Sequence, residues 1–598
     1  MENNYKTEWD LSLVYKNEND PQIEKDIENV IKNTDIFIEK WRNRADYLNN
    51  EIILKEALDD YESWAFNFGP CSSQIYYFWL RNSIDQNDTN IKARYNKINE
   101  ISQNIQNNIR FFELNLAKIE DNYKQIFLKS SLLKDYNNFL NCVFNNSKYL
   151  LSEKEENILA LKSKTSFENW SNLIEELLAK EEREVVIDNK KEVVSFSKIL
   201  SNITNSDITT RNSATNALND IFYKISPVAE IEFNSILEDC RIDNGLKNMP
   251  RPDTYRHVTD DIDSSIVDCL VESVSNNFNI SREFYELKAK LFGVQKLKYN
   301  ERCLDYGVIN KEYDFNESVE IVKSTFKNID SEFYDIVLDL LSGHTDVFSR
   351  KGKTSGAFCS DGSKRDPVYV LLNHNNKLND VLTMAHEFGH AINNYFMIRN
   401  QNSLNFGNSL AIAEVASTFF EDFVLENILK LADDELKLAI MMMKLNGDVS
   451  TIFRQVAFYQ FETEVHKKSK ENGYLSKEEI GFIFQKHMKN YMGDFIEHST
   501  GTENWWIYIG HFRRPFYVYS YASGLLISKS MQNNLKNNTN FIFNIKEFLS
   551  AGLSKSPKNI FLDMNIDISN NNFWNNGIKE VFNLLEETRN LAKKLGKI

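Results

Sequence analysis

Apolar positions along this chain recur mostly at helical steps. Between Ile91 and Asn122, the residues Ile91, Ile98, Ile101, Ile105 and Ile109 fall three to seven apart, one stripe of a long helix. Comparable patterns cover roughly 20–60, 153–182, 264–292, 316–342 and 434–447, each predicting a helix with one face on a core. Only eight prolines and twenty glycines interrupt 598 residues, so the predicted fold is mainly α. A chain of this length outgrows one compact core, and two lobes are expected.

Two stretches break the helical period. Glu184 to Asp188 and Glu192 to Phe196 read as strands around the polar turn Asn189 to Lys191, which predicts a β-hairpin. It stands where the N-terminal helices give way, so a boundary is placed near 198, giving domains 1–197 and 198–598. Ser355 to Cys359 and Pro367 to Leu372 are two further β-prone runs, divided by the loop Ser360 to Asp366. They predict a small sheet directly before the most informative helix.

Composition narrows the function classes. Apolar residues at 42% and charged residues at 26% are the balance of an ordinary soluble protein. A net charge of -16, with no basic patch, repels a phosphate backbone, so nucleic acid is not expected as a partner. No run of 18 apolar residues and no positively charged apolar leader are present, so neither a membrane partner nor secretion is expected. Six scattered cysteines without a CxxC pair predict reduced, mostly buried thiols and a cytoplasmic location.

The chemistry lies in Asn379 to Tyr395. Val381, Leu382, Met384, Ala385 and Phe388 make a buried helix, with Asp380 available as a cap. His386 and His390 are four apart and project from one face, so both imidazoles can reach one zinc ion. Glu387 is turned by about 100° and falls beside the metal, placed to take a proton from an activated water. H-E-x-x-H arises by chance in roughly one chain in 100 of this makeup.

Downstream, Glu414 lies in a second apolar helix, Leu410 to Asp422, where an unpaired carboxylate is costly. The 24 residues after His390 leave room for an antiparallel return, and Glu414 is read as the third ligand. Glu421, two turns on, either orients a ligand imidazole or is a plain helix-edge carboxylate. Gly389 costs the helix about 1 kcal/mol relative to Ala, which points to a close approach by another segment or by substrate, or to simple helix packing. Nearer the C-terminus, His511 precedes a helix signalled by Pro515, with Tyr517 and Tyr521 on one face and Tyr519 pointing elsewhere. These groups either stabilise an oxyanion or fill core as an aromatic stripe.

The chain resembles the oligoendopeptidase F family of thimet-type zinc oligopeptidases. The likeness is carried by Trp9-Asp10-Leu11, SGAFCS at 355–360, VYVLLN at 368–373, AHEFGH at 385–390, AEVASTFFE at 413–421 and HFRRPFYVYSYASG at 511–524. The resemblance implies two helical lobes around a deep central channel, with 198–598 as the catalytic domain. It implies one Zn2+ per chain on His386, His390 and Glu414, with Glu387 as base and then acid. It also implies that His511 and Tyr517, with Tyr521 as an addition, contact the substrate or transition state. Gly356 and Ala357 are expected on the edge strand that pairs with a short peptide substrate. His374 and Arg513-Arg514 depart from the family's pattern and bear on substrate preference; the two arginines either hold a substrate carboxylate or lie on a solvated loop.

The reaction expected is hydrolysis of internal bonds in short peptides. Three other readings remain: a related zinc metallocarboxypeptidase that trims single C-terminal residues, a non-catalytic zinc-containing peptide-binding protein, and a coincidental motif in a helical interaction protein, which would bind no zinc. A structural zinc takes four protein ligands and has no need of Glu387, which weighs against the second.

Overall fold

The computed structural model describes residues 5–309 and 311–598. It is mainly helical, with three small sheets among the described residues. The chain forms two compact units that interleave along the sequence. The first is Met1–Lys148, Asn310–Leu431 and Met531–Ile566; the second is Tyr149–Ile309, Ala432–Ser530 and Asp567–Ile598. The chain-order division expected at 198 does not coincide with these units, because residue 198 lies inside the second.

In the first unit, side-chain caps start the N-terminal helices. The Asp20 carboxylate accepts from the Gln22 N–H at 2.9 Å, with Pro21 opening the helix Pro21–Trp41. Asn50 does the same for Glu51–Asn67, and Asp88 for Thr89–Ile109. The stripe from Ile91 to Ile109 is buried as its spacing predicts, apart from half-buried Ile101. The single helix expected to Asn122 instead ends at Ile109, and a short helix Phe111–Ala117 follows. Its Phe112 packs with Phe37, Tyr47 and Tyr61 in an aromatic core.

The sheet beside the informative helix has three strands. Tyr369–His374 is central, parallel to Thr345–Phe348 on one side and antiparallel to the edge strand Phe358–Ser360 on the other. The parallel strand was not predicted; at four residues it is too short to show a period. The Trp9 indole donates to the Val370 carbonyl at 2.8 Å, and Tyr369 donates its hydroxyl to the Asp10 carbonyl at 2.6 Å. The Trp-Asp-Leu segment therefore clamps the start of the chain to this sheet. His374 is buried and hydrogen-bonded at Nε2 to Ser318 Oγ, 3.0 Å away, while Nδ1 accepts from the Asn376 N–H. It ties the central strand to the helix Phe315–Ile329.

In the second unit the hairpin pairs Glu182–Ile187 with Lys190–Ser195. Its turn is the two residues Asp188 and Asn189, both at positive φ, rather than Asn189 to Lys191. Two residues with φ > 0 match the twist of the flanking strands. The helix expected to open at Pro515 begins instead at Tyr519, because Phe516 adopts φ 69° and turns the chain out of helical geometry. Arg513 is buried and makes a bidentate pair with buried Glu232, both contacts at 2.9 Å. It also donates to the Trp506 and Ile509 carbonyls. For Arg513 this overturns both expected readings, because the pair leaves it neither solvated nor free for a substrate carboxylate.

All six cysteines are free of disulfides. Two are buried and four half-buried, fewer buried than expected. No helix of the described residues is long and apolar enough to cross a membrane.

Candidate active site

The helix Leu378–Asn400 carries both histidines. Asp380 at its third position accepts from the Lys377 and Asn375 N–H groups at 2.9 and 2.7 Å, closing the N-terminus. Val381, Met384, Ala385, Phe388, Ala391 and Ile392 are buried, which turns His386, His390 and Asn394 onto another stripe at steps of four. The helix Ala413–Leu431 packs against it and carries Glu414 in its first turn.

These elements bring three donors together. Glu414 Oε2 lies 3.3 Å from His386 Nε2 and 3.6 Å from His390 Nε2. One donor atom from each residue lies within 4.8 Å of the others, a spacing that could hold a metal ion. Glu414 is half-buried rather than enclosed, and Ser417 donates its hydroxyl to Oε2 at 3.1 Å. Glu421 settles into contact with the far side of His386, with Oε2 3.0 Å from Nδ1. A carboxylate in that position could orient the imidazole.

The electrostatics follow from this crowding. Burial opposes charge on His386, but hydrogen bonds to Glu414 and Glu421 outweigh it and push its pKa up to about 10. Burial would raise Glu414, yet the two histidines hold it well below the usual carboxylate range. Glu387 is raised, chiefly by burial, against the pull of His386 and His390. It is 8% exposed and lines a cavity of about 480 Å³ with the three donors.

Gly389 sits where the two helices touch. A Cβ there would stand 2.8 Å from Ser417 Cα and 3.0 Å from the Ala416 carbonyl oxygen. Both are backbone atoms, so the helices must part. Gly389→Ala should therefore lower stability by about 1–3 kcal/mol, despite a helix-propensity gain of about 1 kcal/mol. Gly447, also helical, has nothing within 4 Å of a built Cβ. Gly447→Ala should stabilise by up to about 1 kcal/mol. Chemical denaturation of both variants checks the contrast; equal shifts would refute the close-packing account.

Gly356 and Ala357 precede the edge strand instead of lying within it. Gly356 takes φ 85°, and its carbonyl accepts from the Asn373 side chain. Ala357 lines the cavity with Phe358 and Cys359. Asp361, Asn394 and Asn408 also line it and were missed by the sequence reading. The four-residue step from His390 to Asn394 was a usable signal.

In the second unit, His511, Tyr517 and Tyr521 come together. Tyr517 Oη and His511 Nδ1 are hydrogen-bonded, and the three rings lie 5.4–5.8 Å apart. Burial lowers the pKa of His511, with Arg454 adding to it. Tyr519 points away and donates to Asp260 at 2.6 Å.

The family model for peptidase family M3 matches residues 157–580, and that for oligopeptidase F matches 115–182. The chain belongs to peptidase family M3. An oligoendopeptidase F homolog of Borreliella burgdorferi is 25% identical over 588 residues, 93% of either chain. Oligopeptidase PepF of Bacillus subtilis is 26% identical, covering 75% of this chain and 68% of its own. Among solved structures, oligoendopeptidase-F from Enterococcus faecium superposes with TM-score 0.70 at 18% identity, covering 96% of this chain and 99% of the other. Family M3 membership makes this protein a peptidase, with the His386–His390–Glu414 group as its candidate metal centre.

Proposed function

We propose that this M3 peptidase is a zinc-dependent oligoendopeptidase that hydrolyses internal bonds of short peptides. The observation that carries the reading is the convergence of two imidazole nitrogens and one carboxylate oxygen beside buried Glu387. The donor set fits zinc. Two histidines and one glutamate are three protein ligands, the number that leaves a coordination position for chemistry, whereas a structural site uses four. The His386 Nδ1 contact to Glu421 matches the outer hydrogen bond that metal-bound histidines require.

Zinc, when bound there, would polarise the scissile carbonyl and lower the pKa of a water to about 7. Glu387 takes the proton of the attacking water and delivers it to the leaving amine. Burial raises its pKa above the ordinary carboxylate value, which strengthens it as a base. Glu421 holds the His386 ring in one tautomer. The family resemblance of 511–524 assigns transition-state or substrate contact to His511 and Tyr517, with Tyr521 beside them. The hydrogen bond between His511 and Tyr517 supports the two acting together. Gly356 and Ala357 lead substrate onto the edge strand. The free cysteines support a cytoplasmic setting.

Glu421→Ala should weaken zinc binding by about 10- to 100-fold while leaving the fold intact. Competition with a chelating dye reads this directly, and unchanged affinity would remove the orienting role. The reaction itself is tested by mass spectrometry of short peptides incubated with the protein, beside chelator-treated enzyme. Internal cuts lost on chelation establish the endopeptidase. Single-residue losses would indicate a carboxypeptidase, and no cuts with one zinc bound would indicate a peptide-binding protein.

A further inference from the structure

A second cavity of about 390 Å³ lies in the first unit, next to the edge strand. Its walls are Pro70, Ile75, Tyr76 and Trp79, with Tyr95 from the helix Thr89–Ile109. The floor is Ser360, the last residue of the strand, with Asp361 and Gly362 of the loop that follows. The first cavity is lined by Ala357 to Cys359 and Asp361, so the two cavities follow one another from the strand into the loop after it and share Asp361.

The walls are fixed by contacts of their own. Tyr76 is buried and donates its hydroxyl to the Ser360 and Pro367 carbonyls at 2.8 and 2.9 Å, so the ring stands against the strand end. The Trp79 ring packs on Phe358, centroids 4.8 Å apart. A Cβ at Gly362 would fall 2.7 Å from the Tyr76 ring, so the loop lies flat on it and leaves the cavity open.

From this geometry we infer that the second cavity is a specificity subsite for a large apolar or aromatic side chain of the peptide, about two or three residues from the scissile bond. The inference rests on the peptidase reading above. The outer side of Phe358–Ser360 is the end of its sheet, where an extended peptide can add as a further strand. At about 3.3 Å per residue, a peptide paired along Phe358–Ser360 and continuing extended past its end passes from one cavity to the other in two or three residues. Aromatic and aliphatic walls take an apolar side chain, and the Asp361 carboxylate at the junction disfavours an acidic one. The occupant is therefore the substrate's own side chain, with Phe, Tyr, Trp and Leu favoured over Asp and Glu.

The test uses a peptide library with one varied position and two variants outside the catalytic groups. Trp79→Ala removes a wall, and Gln106→Trp fills the cavity from an exposed helical position with little risk to folding. Wild-type enzyme should favour an aromatic or Leu residue over Asp at one fixed distance from the cut by about 10-fold or more in kcat/KM. Both variants should reduce that ratio to below about 2-fold, the ratio being taken within each variant so that any loss of rate common to all peptides cancels. Binding of uncleaved peptides to Glu387→Gln protein should show the same ranking. A wild-type pattern in both variants, with Glu387→Gln still inactive, overturns the subsite and leaves the peptidase reading standing. A wild-type protein that cleaves nothing in the library overturns both.

Discussion

Glu387→Gln is expected to lower kcat by about 10²- to 10⁴-fold, the range lost with a general acid–base group, or about 2.7–5.5 kcal/mol of barrier. Metal content should stay at one per chain. Glutamine fills the same volume and keeps a hydrogen-bonding end, so the buried setting beside Cys359 and the two histidines is preserved. What it cannot do is accept a proton. Glu387 adjoins His386 in the helix but is turned by about 100°, so removing its charge leaves the three donors in place. KM should change little, because the lost interaction belongs to the transition state. Steady-state kinetics with a quenched peptide, beside metal analysis of the same sample, separates the cases. Near-normal turnover with metal bound would eliminate Glu387 as the base.

The helix pair behind this expectation was legible because its signals are local. The four-residue step from His386 to His390 sets both rings on one face whatever surrounds them, and the apolar run around them requires burial. The mainly helical fold was legible for a similar reason, the scarcity of Pro and Gly. Glu414 needed one further step, that a helix followed by a short connection returns beside itself. Glu421 stayed open, because sequence gives its face but not which imidazole nitrogen it meets; the 3.0 Å contact to Nδ1 supplies that.

Other features depend on distant partners and were not legible. Arg513 looks like one of two surface charges until Glu232, far back in the chain, is seen to bury it. The positive φ of Phe516 is unexpected in a bulky residue. It is held where its N–H donates to buried Glu462 at 3.1 Å, and no local pattern announces it. The two units interleave because contacts, rather than chain order, define them. Gly389 was readable as a close approach, but only the Ser417 backbone identifies what approaches.

Glu414→Gln should release the metal. If zinc in such a site is held by about 12 kcal/mol shared among three protein ligands, loss of one is worth about 4 kcal/mol, or about 10³-fold in affinity. The carboxylate also meets both imidazoles, at 3.3 and 3.6 Å, and is the only negative donor of the three. An amide keeps the shape and the Ser417 contact but not the charge, so the fold should be kept, with stability near that of zinc-free rather than zinc-loaded wild type. The variant should lose zinc on dialysis against a moderate chelator that leaves wild-type protein loaded. Activity should return in part when zinc is added in excess, which distinguishes a lost ligand from a lost fold. Retention of one zinc per chain with full activity would mean that the metal is held elsewhere, and would break the link between this helix pair and the chemistry.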